Sequence, residues 1–325
     1  AVGFNVVNWA TMGKIAASWV ISPLLGGIIA AFFLAILKIN VINKEDKIAA
    51  ARRWVPLLVA VMASAFSCYL IMKGLKKIWK PDTSMLIGIG VLIFFITNAI
   101  MRPVIRKQSE GLENRSQSLR VLFHVPLICS AALLSFAHGA NDVANAVGPL
   151  AAILYSAESG DIAHKVGIPI WVMVIGMGGI SLGLFLFGPR LIRMVGEQIT
   201  KMNPMRAFCV SLSAALTVIM ASALGLPVSS THIAVGAVFG VGFYREYYSE
   251  KNKRKRRELR ELKRSGEAPE PGQDIEKSTY FNFTKPRRLV RRSHFITIIM
   301  AWVITVPTAA LLSALIYYGL VFIQP

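Results

Sequence analysis

Two short polar stretches in this 325-residue chain carry groups that could do chemistry. The first is His138-Gly139-Ala140-Asn141-Asp142-Val143-Ala144-Asn145, set between the uncharged runs 121–137 and 146–155. Asn145 follows Asp142 by three residues, so both side chains can share one helix face. One carboxylate, two amide oxygens and any freed backbone carbonyls form an oxygen-rich nest for a small, hard cation. Gly139 is expected to end one helix, with Asn141 or Asp142 capping the next. The second stretch is Pro227-Val228-Ser229-Ser230-Thr231-His232. Pro227 is expected to end an incoming helix, which puts three hydroxyls at the N-terminus of a half-helix reaching to about Tyr244. Backbone N–H groups and hydroxyl donors there suit an anion.

Neither stretch contains Lys or Arg, so the anion would be held by neutral donors. Each stretch also has a plainer reading, as a polar cap or turn that only ties helices together. His232 reads as a packed, hydrogen-bonded side chain rather than a ligand. An anion site beside Asp142 repels its own substrate unless a cation comes too. Sodium bridging the carboxylate and the anion, or a proton neutralising Asp142, would both meet that need, and the residues leave the two open.

The elements that must position these stretches are membrane helices. The chain is 54% hydrophobic and only 16% charged, against about 25% charged in a soluble domain. Uncharged runs reach the roughly 20 residues that span a bilayer. The expected fold is an all-α polytopic membrane protein. Its net charge of +19 does not point to nucleic acid, because Lys and Arg sit almost wholly between the apolar runs, as in cytoplasmic loops. Cys68, Cys129 and Cys209 lie singly in apolar runs and read as small hydrophobes. The His residues form no metal-ligand spacing, so no metal beyond a coupling ion is expected.

The basic segments 38–53, 102–120, 189–206 and 245–293 are assigned to the cytoplasm, and 156–167 to the outside. Region 207–244 then starts and ends inside, which fits a hairpin turning back at 227–232. Lys73, Lys76, Lys77 and Lys80 would face outward, an exception to the rule. Within the long hydrophilic region, 247–264 is expected to be a charged helix and 265–274 a linker.

Ser18-Trp19-Val20-Ile21-Ser22-Pro23 echoes Ala301-Trp302-Val303-Ile304-Thr305-Val306-Pro307 at an offset of 283 residues. The first copy runs toward the cytoplasm and the second away from it, as expected of an inverted repeat in a secondary transporter. The expected organisation is the end of the first repeat over 1–37, connecting helices and cytoplasmic loops over 38–120, and the second repeat over 121–325. Partners of the two polar stretches would fall before Ala1. The chain is therefore read as beginning inside the first repeat, lacking roughly a quarter to a third of the whole.

The stretch 138–150, the segment 224–242 with Pro-Val-Ser-Ser-Thr-His, and 18–27 together resemble the inorganic phosphate transporter family of sodium–phosphate symporters. The resemblance implies an inverted-repeat fold with broken helices and a re-entrant hairpin. It implies no enzymatic activity, a homodimer in the membrane, and no cofactor besides sodium or a proton. It assigns phosphate to Asp142, Ser229, Ser230 and Thr231, and sodium to Asn141, Asp142, Asn145 and Thr231. Ser211 stands where many members carry Glu, which puts a coupling acid there in doubt. The expected activity is cation-coupled phosphate symport by alternating access in a bacterial inner membrane. The rivals are sulfate as cargo, proton coupling, and a non-transporting receptor or scaffold with 245–293 as its arm.

Overall fold

The computed structural model describes residues 8–74, 82–159, 167–193, 202–226, 228–265 and 292–323. The loop lysines 76, 77 and 80, Pro227 and the expected linker beyond 265 lie outside these residues. All regular elements among the described residues are helical. They are α1 (Trp9–Leu37), running into a π-helical turn at Lys38–Ile42, then α2 (Lys47–Gly74), α3 (Thr83–Gln108) and the short α4 (Ser118–Leu122). These are followed by α5 (His124–Ser159), α6 (Ile170–Arg193), α7 (Pro204–Ala223), α8 (Ser230–Ser265) and α9 (Arg292–Ile323). Six of the described helical segments are long and apolar enough to cross a bilayer.

The tightest packing is between α1 and α8. Its cause is glycine. A Cβ on Gly236 would lie 2.2 Å from the Pro23 carbonyl oxygen, and one on Gly240 2.1 Å from that of Gly27. Gly236 and Gly240 are four residues apart, so they form one bare strip along α8 that lets the two backbones touch. This small-residue seam matters in a membrane, where lipid offers no hydrophobic drive for two apolar helices to associate. From α7, the Ser213 hydroxyl donates to the Gly26 carbonyl at 2.6 Å and ties a third helix to the pair.

The described parts of the basic segments 38–53, 102–120 and 245–252 meet at one end of the bundle. Asn114 accepts from the Lys47 N–H at 2.9 Å and donates to the Glu45 carbonyl at 2.7 Å. Arg52 Nε donates to Ser109 Oγ at 2.6 Å, and Asn43 reaches the Tyr248 hydroxyl. Beneath this end lies the main core, including the fully buried Leu37, Val41, Val55, Leu122 and Phe208. The outward faces of α3, α6 and α9 stay apolar and exposed, with Phe95 at 62% and Phe185 at 82%. That is the surface a lipid-facing helix presents.

Two local expectations change. Helix α5 is not broken at Gly139, but continuous through the whole polar stretch. Positive φ among the described residues is confined to Gly111 and Gly225, so Gly139 takes no chain-reversing conformation. The polar side chains of α5 find partners sideways, and the helix has no need to open. The break falls between α7 and α8, and Gly225 makes it. With φ at +70°, it lets Leu226 N–H reach the Ala221 carbonyl and its own N–H reach that of Ser222, at 3.0 and 3.1 Å. This paired closure ends α7. Helix α8 also does not stop near Tyr244. It continues through the charged segment to Ser265.

Replacing Gly240 by Val should force α1 and α8 apart. We expect a loss of about 1–3 kcal/mol, as for other overpacked interiors, read as a lower thermal midpoint of the purified protein in detergent. The same change at Gly319, whose Cβ would meet nothing within 4 Å, should leave the midpoint unchanged.

Candidate functional site

The site forms where the middle of α5 meets the α7–α8 break. A small apolar cluster of Ala137, Ala214, Val218, Val228 and Ile233 packs the three helices together and fixes the Val228 backbone against α5. With no regular hydrogen-bond ladder between 224 and 229, the Val228 carbonyl needs a partner. Asn141 supplies it, donating Nδ2 at 2.7 Å in a buried bond, and Asn145 Nδ2 approaches the same oxygen at 3.4 Å. An Asn that spends its N–H groups inward keeps its carbonyl oxygen as the group able to ligate a cation.

Asp142 sits at the centre. Its Oδ1 accepts from Asn141 Nδ2 at 3.0 Å, and its Oδ2 lies 3.0 Å from His138 Nε2, one turn earlier on α5. Ser230 Oγ stands 3.3 and 3.2 Å from the two carboxylate oxygens and 2.6 Å from His138 Nδ1. Ser230 is 1% exposed, whereas the Asp142 side chain remains 30% exposed. The carboxylate, not the serine, is the group an entering ligand can reach.

Ser229 caps α8. Its Oγ accepts from the His232 N–H at 3.3 Å, and its carbonyl accepts from Ile233 at 3.1 Å. The capping oxygen keeps its own proton for donation, and it stands at the positive end of a 36-residue helix. That end can hold an anion.

The structure thus brings together Asn141, Asp142, Asn145, Ser229 and Ser230 from the sequence-predicted set. Thr231 is exposed on the first turn of α8, outside the hydrogen bonds around Asp142. Ser211 lies half-buried on α7. Two contributors escape a reading of the two stretches as separate sites. One is the Val228 carbonyl, a backbone group whose placement no side-chain pattern encodes. The other is His138, which spacing could have found, since it precedes Asp142 by four residues.

A cavity of about 1090 Å³ opens beside the site between α1 and α8, reaching Val303 and Thr305 of α9. Its walls are mostly apolar, among them Trp19, Leu24, Phe239 and Phe243, and it meets the site only along its rim at Asn145, Val228, Ser229 and His232. Asp142 itself is not among the lining residues, which include no carboxylate, Lys or Arg.

Lipid-facing helices around an inward polar cluster, with one helix pair interrupted at the cluster, define an integral membrane protein of the transporter class. The model of the phosphate transporter family matches residues 1–313. A putative phosphate permease of Helicobacter pylori strain J99 is 42% identical over the full chain, which spans 68% of that relative's length. A putative phosphate permease of Pyrococcus abyssi is 31% identical over 97% of this chain and 67% of its own. A solved structure described as the sodium-dependent phosphate transporter aligns with a TM-score of 0.77 at 31% identity, covering 100% of this chain and 70% of that one. The chain belongs to the phosphate transporter family, whose members are permeases and not enzymes.

Asn141→Ala should cost about 1–3 kcal/mol, because it strands the buried Val228 carbonyl. Thermal unfolding in detergent checks this. Asn145→Ala, which removes the longer bond, should cost much less. Equal losses would contradict the ranking.

Proposed function

We propose that this protein carries inorganic phosphate across a bacterial inner membrane together with sodium, by alternating access around the α5–α8 contact. The observation that carries the reading is the meeting of Asp142, Asn141 and Asn145 with the capped N-terminus of α8. It joins a cation-attracting oxygen set to an anion-attracting helix end. The solved relative, itself described as sodium-dependent, supports the choice of ion.

The coupling follows from electrostatics. A carboxylate and an anion about 4 Å apart repel by about 4 kcal/mol at an effective dielectric near 20. That would weaken anion binding by roughly a thousandfold. A sodium ion held by Asp142 and the amide oxygens of Asn141 and Asn145 reverses the sign. Each ligand then binds well only when the other is present, which is the requirement for symport. Phosphate would be held by the Ser229 hydroxyl and the first-turn N–H groups of α8, with Ser230 and Thr231 flanking and Asp142 facing it. The division into repeats over 1–37 and 121–325, joined by 38–120, and a homodimeric assembly belong to the same proposal.

Uptake of radiolabelled phosphate into cells expressing the protein should require sodium. Unchanged uptake in sodium-free buffer at constant pH would reject the coupling. Asp142→Asn should reduce uptake at least a hundredfold with normal membrane insertion, and near-normal uptake would remove Asp142 from the site.

A further inference from the structure

The His138 ring is held at both nitrogens, and with the ring neutral and Asp142 ionised these contacts place two protons. Nε2 faces Asp142 Oδ2 at 3.0 Å, and Nδ1 faces Ser230 Oγ at 2.6 Å. An ionised carboxylate only accepts, so the nitrogen facing it must carry a hydrogen. In a neutral imidazole the other nitrogen is then bare and accepts. Ser230 has one hydroxyl proton and two candidate acceptors. The short bond is to Nδ1, while the carboxylate oxygens lie at 3.2 and 3.3 Å. With this proton placement the ring draws the serine proton away from Asp142.

The consequence appears in the hydrogen-bond capacity of the carboxylate. Asp142 offers about four lone-pair positions. Asn141 Nδ2 and His138 Nε2 occupy two of them. With the Ser230 proton diverted, the remaining positions stay open on a side chain that is 30% exposed. One can ligate a cation. Another can accept from an anion, but only from an anion that carries a proton. Monohydrogen and dihydrogen phosphate do so at neutral pH, and sulfate does not.

We propose that His138 is a positioning residue that makes Asp142 selective for a protonated oxyanion, and that the buried Ser230 acts through His138 rather than by touching the anion. This rests on the phosphate reading given above. His138→Gln keeps an N–H for Asp142 but removes the Nδ1 acceptor, so the Ser230 proton turns to the carboxylate and blocks the open position. Removing that hydroxyl as well should reopen it.

The test measures the sulfate inhibition constant against the phosphate KM in wild type, His138→Gln, Ser230→Ala and the double variant. His138→Gln should lower the preference for phosphate over sulfate by about tenfold, the effect of one hydrogen bond. Ser230→Ala should keep the preference, and the double variant should recover it. A side chain that only packs the site would not give recovery on a second deletion. Unchanged preference in His138→Gln, or a double variant no better than the single, overturns the proposal. A wild type that fails to carry phosphate overturns the functional reading instead. Should His138→Gln not insert, ¹⁵N-histidine NMR of the wild-type protein decides. The proposal requires a proton on Nε2 and a bare, hydrogen-bonded Nδ1, and a proton on Nδ1 overturns it.

Discussion

The bond between Asn141 Nδ2 and the Val228 carbonyl, 2.7 Å long and buried, answers a problem set by the membrane. A bilayer interior supplies no water to satisfy exposed backbone, so a chain interruption at that depth needs a protein partner for each freed group. The α7–α8 break frees such groups. Its first carbonyls close on Gly225 and Leu226, but the Val228 carbonyl has no such internal solution and is met from another helix. That requirement brings α5 to the break. It also brings Asp142, which is next to Asn141 in sequence.

Around this contact the packing is arranged to let backbones approach. The glycine seam between α1 and α8 places two helix axes closer than side chains would permit, and Ser213 pins α7 to the same pair. A membrane protein cannot rely on expelling water from such a seam. It depends on close contact and a few polar links. The result is a closely packed α1–α7–α8 unit against which α5 presents its polar face.

Much of this was legible in the residues. The uncharged runs marked the helices, and the two polar stretches marked the segments that meet around Asp142. What was not legible has physical reasons. Gly139 looks like a helix breaker, yet a glycine ends a helix only where the chain must turn, and the sideways partners of Asn141 and Asp142 removed that need. Gly225 closes α7 with a left-handed conformation that its residue type permits but does not require. The Gly236–Gly240 strip acquires meaning only once the partner helix is known. The four-residue spacing of His138 and Asp142 acquires meaning only once α5 is known to be continuous.

The continuity of α8 has a mechanical consequence. A helix of 36 residues is about 54 Å long. One end of this rod carries Ser230, in contact with the groups around Asp142, and the rod passes Tyr248, which meets Asn43, on its way to the charged segment. A tilt of only about 5° at the buried end displaces the far tip by nearly the pitch of one helical turn, about 5 Å. Any tilt of α8 against α5 is thus magnified along its length, so the charged segment at its far end is the part of the helix most sensitive to the packing around the carboxylate.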